Sequence, residues 1–267
     1  MQSVSWESLV WNTVTLRPYV FLFLIVFLVT ASRDLGRLRA LWFLFWGWSV
    51  AFVAEYASTR IGVPFGLYHY TGATAGIELY ISNVPLFDSI SFVFLAYASF
   101  CLARWALAGG RTATVVLLAG VLMMMLDVVI DPLAVRGDRW FLGRIFYYPS
   151  GGVYFGVPLS NFVAWILVGG YAWATGDADG FTGRGDSPGQ VTALYYGVLV
   201  FNLAITLWIG ESALFTARVC CTPPESCYCP RSARPRAVKT VSGRSPSGPQ
   251  HRARRSRNVQ TRRAGPR

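Results

Sequence analysis

The chain has 267 residues, of which 54% are apolar and only 14% charged, with a mean hydropathy of +0.42. Both proportions lie outside the range of water-soluble domains and exclude that class. The net charge of +11 is no sign of a nucleic-acid partner, because residues 216–267 carry +12 while residues 1–215 carry −1.

Six apolar runs predict membrane-spanning helices at 16–32, 38–58, 84–108, 112–135, 153–175 and 191–215. At about 1.5 Å per residue, each crosses or nearly crosses a hydrocarbon core roughly 30 Å thick. The first has neither a basic segment before it nor a small-residue cleavage site after it, and is read as a retained helix rather than a signal peptide. Residues 61–83 are apolar but interrupted by glycine and proline, which predicts a re-entrant or interfacial loop, with a short extra helix as the alternative. Six loop arginines on one side against five on the other leave the orientation open. The expected fold is all-α: a polytopic transmembrane bundle of six to eight spans over residues 1–215, integral to the cell membrane, followed by a basic tail.

Residues 216–267 are rich in Arg, Pro, Ser and Gly, a composition that predicts disorder. Three readings of this tail stand side by side: an electrostatic anchor to anionic headgroups or to nucleic acid, a solvated appendage, and a C-terminus replaced by a frameshift near Thr216. Cys101 lies in an apolar run, whereas Cys220, Cys221, Cys227 and Cys229 crowd the start of the tail with neither disulfide-framework nor zinc-site spacing.

An ionisable side chain inside a span costs at least about 2.5 kcal/mol at mid-depth, so each one calls for an explanation. Glu55, Asp88, Arg104, Asp127, Asp131 and Glu211 are of this kind, and Arg104, near a helix end, can reach the headgroups. Asp127 and Asp131 lie one helical turn apart and share a face, where two buried carboxyls oppose each other's ionisation and one keeps its proton. That arrangement suits a general acid; the alternative is a capping acid beside one salt-bridged to Arg136 or Arg139. Pro132 is expected to bend or end the helix beside the pair. Glu55 precedes a segment holding His69 between Tyr68 and Tyr70. His69 is either an interfacial residue or part of a small wet site. Further on, Asn161 offers an uncharged donor among Tyr154, Phe162 and Trp165, aromatic residues that either pack or wall a pocket able to stabilise a cation.

With one histidine in residues 1–215, di-iron, haem and copper chemistry lack ligands, and neither a phosphate-binding loop nor a dinucleotide fingerprint is present. The sequence therefore expects no metal and no cofactor. Proton chemistry on an apolar substrate and non-catalytic carriage remain.

AEYASTRIGVPFGLYHYTG, ISNVPLFD, LDVVIDPLAVRGDRWF and YFGVPLSNFVAW together resemble the carotenoid biosynthesis membrane protein family, over roughly residues 40–175. The resemblance implies addition of water to the terminal C=C of an acyclic carotenoid such as bisanhydrobacterioruberin, giving a tertiary alcohol. It implies Asp127 or Asp131 as proton donor and Glu55 or His69 as the group that activates water. It further implies a substrate-binding lining of Tyr56, Pro64, Phe65, Tyr68, Tyr70, Trp140, Tyr154, Asn161 and Phe162. The expected partners are a carotenoid, membrane lipid and other enzymes of the same pathway, with no nucleic acid. End-group cyclisation begins with the same protonation and is the nearer alternative; a carotenoid carrier is the more distant one.

Overall fold

The computed structural model describes residues 5–107, 111–139, 142–175 and 188–221. Helix α1 (Trp6–Leu16) is started by Ser5, whose hydroxyl oxygen accepts the Ser8 N–H at 3.2 Å. Arg17 leaves helical geometry and Pro18 opens α2 (Pro18–Asp34) at the first helical position, where its missing N–H is harmless. The two axes meet at 86°. Next comes α3 (Arg37–Ile61), ended by Gly62 in the left-handed conformation that glycine adopts without strain. An irregular segment then carries β1 (His69–Tyr70), β2 (Tyr80–Ile81) and β3 (Val84–Pro85). Helices α4 (Leu86–Ala106) and α5 (Thr112–Ala134) follow, then a second irregular segment with β4 (Phe146–Tyr147), then α6 (Leu159–Thr175), α7 (Pro188–Trp208) and α8 (Ser212–Cys221).

The bundle is wrapped around α4, which packs on α2, α3, α5, α6 and α7. Its sequence, LFDSISFVFLAYASFCLARWA, is apolar on nearly every face because nearly every face is covered. Helices α3, α4 and α5 are each long and apolar enough to cross a membrane, and the bent α1–α2 pair is so only when taken together as one broken span. The apolar parts of α6 (Leu159–Gly170) and α7 (Thr192–Trp208) are shorter. A helix thus stands at each of the six apolar runs.

Among the described residues the only strand pairings are two-residue pairs and single bridges, so the all-α reading omitted little. β1 runs antiparallel to β4, and Thr71 fastens the two segments by donating its N–H to the Ile145 carbonyl at 2.7 Å. The glycines and prolines of 61–83 predicted a loop, and residues 62–85 contain no helix. Pro132 does not end α5, which continues to Ala134. Helix α8 runs on to Cys221, and the expected disordered tail beyond it, with Cys227 and Cys229, lies outside the described residues.

Helices α5 and α6 approach closely at Gly120 and Gly169. A Cβ on Gly120 would lie 2.7 Å from the Ile166 carbonyl oxygen, nearer than real Cβ atoms come. Gly120→Ala is therefore expected to lower stability by about 1–3 kcal/mol. Thermal unfolding of the detergent-solubilised protein checks this, and an unchanged midpoint would contradict the packing described.

Candidate active site

The ends of α3 and α5 and the starts of α2, α4 and α6 meet at one end of the bundle, beneath the two irregular segments. They enclose a cavity of about 150 Å³. Its contents are graded by depth. Near the segments stand Glu55, Asp88, Asp131, Tyr68, Tyr70, Tyr148 and Asn161; deeper along α4 and α7 stand Phe94, Leu95 and Val198. Leu95 lies seven residues past Asp88, about 10 Å along the helix. Phe92 and Trp165 stack with ring centroids 4.1 Å apart and form an aromatic wall that Phe65 extends.

Asp131 faces the cavity, and Asp127, fully buried one turn earlier, stands behind it. Asn161, in the first turn of α6, spans the pair: its side-chain N–H₂ donates to Asp127 Oδ2 at 2.6 Å and to Asp131 Oδ2 at 2.8 Å. The two carboxyls also lie within hydrogen-bonding reach of one another, a contact that two carboxyls make only when one of them carries a proton. Tyr148 makes a long 3.5 Å approach to Asp131. The alternative pairing with Arg136 or Arg139 is not observed. Both arginines turn to Glu211, and Arg136 also donates to the Pro132 and Phe155 carbonyls.

Glu55 lies in the other part of the polar lining. The Ser89 hydroxyl donates to its Oε2, and the Tyr70 hydroxyl lies within hydrogen-bonding reach of Glu55, Asp88 and Tyr68. Burial first, and the Glu55 carboxyl second, hold the Tyr68 and Tyr70 phenols well above the ordinary tyrosine range. Burial and Asp131 do the same for Tyr148. All three phenols therefore stay protonated at physiological pH and act as neutral donors.

Arg17, at the edge of the first apolar run, is 2% exposed and lines the cavity. Its Nε donates to Glu78 Oε2 at 2.6 Å, its Nη2 to Glu78 Oε1 at 3.0 Å, and its Nη1 to Asp88. The break between α1 and α2 places it there, and its geometry on Glu78 is the two-pronged fit that guanidinium and carboxylate share.

Glu55, Asp131, Phe65, Tyr68, Tyr70 and Asn161 thus gather at one cavity, with Asp127 in contact behind them. His69 does not join them: strand alternation points it outward, exposed, edge-on to Tyr147. Tyr56 adjoins Glu55 in sequence but lies on the outer face of α3, under the Arg60 guanidinium at 3.4 Å. Pro64 is half-buried at the start of the loop and off the lining, and Tyr154 and Phe162 meet edge to face, also off the lining. Trp140 lies outside the described residues. Sequence reasoning missed Arg17, Glu78 and Tyr148, and left Asp88 without a site; no local pattern joins residues so far apart in the chain.

Residues 16–221 match the model of a family described as carotenoid biosynthesis protein. The chain belongs to the carotenoid biosynthesis protein family. Over 176 residues it is 31% identical to bisanhydrobacterioruberin hydratase of Haloarcula japonica, a match covering 61% of this chain and 57% of that protein. No solved structure matches it. The family match takes in every cavity-lining residue, from Arg17 to Asn202.

Arg17 holds two carboxylates at the cavity wall of this carotenoid biosynthesis protein. Removing one partner of a buried ion pair costs about 3–5 kcal/mol, because the other charge stays buried. Arg17→Met is expected to reduce the folded yield and the unfolding temperature sharply, and Arg17→Lys to do so less. Parental stability in Arg17→Met would contradict the pairing.

Proposed function

We propose that this protein is an integral, multi-pass membrane enzyme that adds water to the terminal C=C of an acyclic carotenoid, giving a tertiary alcohol. The observation that carries the proposal is that Glu55 and Asp131 face one small cavity, beside Asp88 held by Arg17, while much of the rest of its wall is aromatic and aliphatic. Membership of the carotenoid biosynthesis family and the partial identity to a protein named as a hydratase support it.

Hydration of a trisubstituted alkene needs a proton donor for the less substituted carbon, stabilisation of the tertiary cation, and a base for the attacking water. Asp131 is the donor, sharing a proton with Asp127 in the manner of a carboxyl dyad. The alkene π pair forms the new C–H bond and leaves the cation at the dimethyl carbon, beside the Phe92–Trp165 wall. Water attacks that carbon, its oxygen forms the C–O bond, and its proton passes to Glu55, a carboxylate already served by the Ser89 and Tyr70 hydroxyls. The proton then returns from Glu55 to the dyad by way of water and the Tyr68, Tyr70 and Tyr148 phenols. Nothing is oxidised or reduced, so the addition calls for no redox cofactor.

A cavity of this volume is on the order of one benzene ring in capacity, so it admits one end group while the polyene lies outside. Phe23 of α2, Phe94 and Leu95 of α4 and Val198 of α7 give that chain an apolar wall to lie along.

The proposal is tested in membranes containing the protein, supplied with an acyclic carotenoid bearing isopropylidene ends. The parent is expected to form a product heavier by one water with an unchanged chromophore. Asp131→Asn and Glu55→Gln should each lose about 100-fold or more in rate, whereas His69→Ala retains parental activity. Parental rates in both acid variants at normal expression would refute the carboxyl mechanism.

A further inference from the structure

The two irregular segments and their flanking helices repeat one another. Val84-Pro85-Leu86-Phe87-Asp88 corresponds to Val157-Pro158-Leu159-Ser160-Asn161, a shift of 73 positions. The backbone repeats at the same shift. Ile81 pairs with Val84 and Tyr154 with Val157, and the residues inside these turns, Ser82 and Phe155, have φ of 58° and 50°. Left-handed geometry is rare for serine and rarer for phenylalanine, so its recurrence at matching positions marks one turn built twice. In each case an arginine near the end of the preceding helix grips the turn. Arg60 donates to Asn83 Oδ1 at 2.8 Å, and Arg136 to the Phe155 carbonyl at 2.9 Å. Each arginine stands five residues after a cavity carboxyl, Glu55 or Asp131.

The two copies also meet one another as equivalents. Tyr68-His69-Tyr70 matches Phe146-Tyr147-Tyr148, and β1 pairs antiparallel with β4 so that His69 faces Tyr147, its own counterpart. A strand paired to its equivalent in this register has a local two-fold axis through the pair. Phe92 and Trp165, again 73 positions apart, stack face to face.

The equivalence fails at three points around the cavity. Asp88 stands where the other copy has Asn161. Ala51 stands where the other has Asp127. Arg17 comes from outside both copies and binds Glu78 and Asp88, both in the first.

We infer that α3–β1–α4 and α5–β4–α6 are two copies of one unit around a shared site, and that Asp88, held by Arg17, and Asn161 make the equivalent carboxyls Glu55 and Asp131 unlike in role. Asp88 and Arg17 are positioning residues. On one side Asn161 gives its amide hydrogens to a pair of acids with a proton between them. On the other, Arg17 engages Asp88, and Glu55 keeps the Ser89 hydroxyl with the Tyr70 hydroxyl in reach. This rests on the hydration reading: donor and acceptor are the two copies of one carboxyl.

Hydration in heavy water reads the division of roles directly, because the face of the alkene that receives deuterium records which carboxyl gave it. The parent is expected to label one face. Asp88→Asn gives both copies the same amide while Arg17 keeps Glu78, and is expected to label both faces in comparable amounts. Asn161→Asp adds an acid to the dyad without an arginine and should lose about tenfold or more in product. A single labelled face or no turnover from Asp88→Asn, or full turnover from Asn161→Asp, at normal membrane expression, overturns the inference. Absence of product from the parent would instead overturn the hydration reading on which it rests.

Discussion

Carboxyl groups buried in an apolar bundle have to find partners, and the cavity end of this protein is organised by that requirement. Glu55, Glu78, Asp127 and Asp131 are all buried, with one guanidinium, Arg17, among them. In so apolar a setting each unpartnered group would cost several kcal/mol, comparable to much of a domain's net stability. Hence the break between α1 and α2, which delivers Arg17 to Glu78 and Asp88, and the start of α6, which delivers the Asn161 amide to two acids at once. The loops that cap the bundle contribute the phenols, which burial keeps neutral and donating.

The same requirement explains the grading of the cavity. Polar groups collect where helices end, because free backbone groups and loop side chains are available there. Deeper in, α4 is surrounded by helices and lines the cavity with Phe92, Phe94 and Leu95. Under the proposed hydration, the reacting end of an acyclic isoprenoid lies among the polar groups and its hydrocarbon chain among the apolar ones. The two-fold relation between the α3–α4 and α5–α6 copies adds a reason for carboxyls to come from both halves, since a carboxyl carried by one copy recurs in the other.

Much of this was legible in the sequence because of what ionisation costs in lipid. Glu55, Asp127 and Asp131 stood out in apolar runs, and the helical turn separating the two aspartates put them on one face. Helix positions followed from run length, and the glycines and prolines of 61–83 announced a loop. Direction was harder to read. His69 was grouped with Tyr68 and Tyr70, yet alternation along a two-residue strand sends it to the other face. Tyr56 was grouped with Glu55, though adjacent residues on a helix point about 100° apart. Arg17, Glu78 and Asp88 meet across 61 and 71 positions, and nothing local announces such a contact.

The central claim is that this cavity adds water to a carbon–carbon double bond, and the source of the new oxygen tests it most directly. The parent protein, supplied with an acyclic carotenoid in water enriched in heavy oxygen, is expected to yield a tertiary alcohol that carries the label, with the polyene absorption unchanged. An unlabelled alcohol, or a product of unchanged mass with an altered end group, would contradict the account.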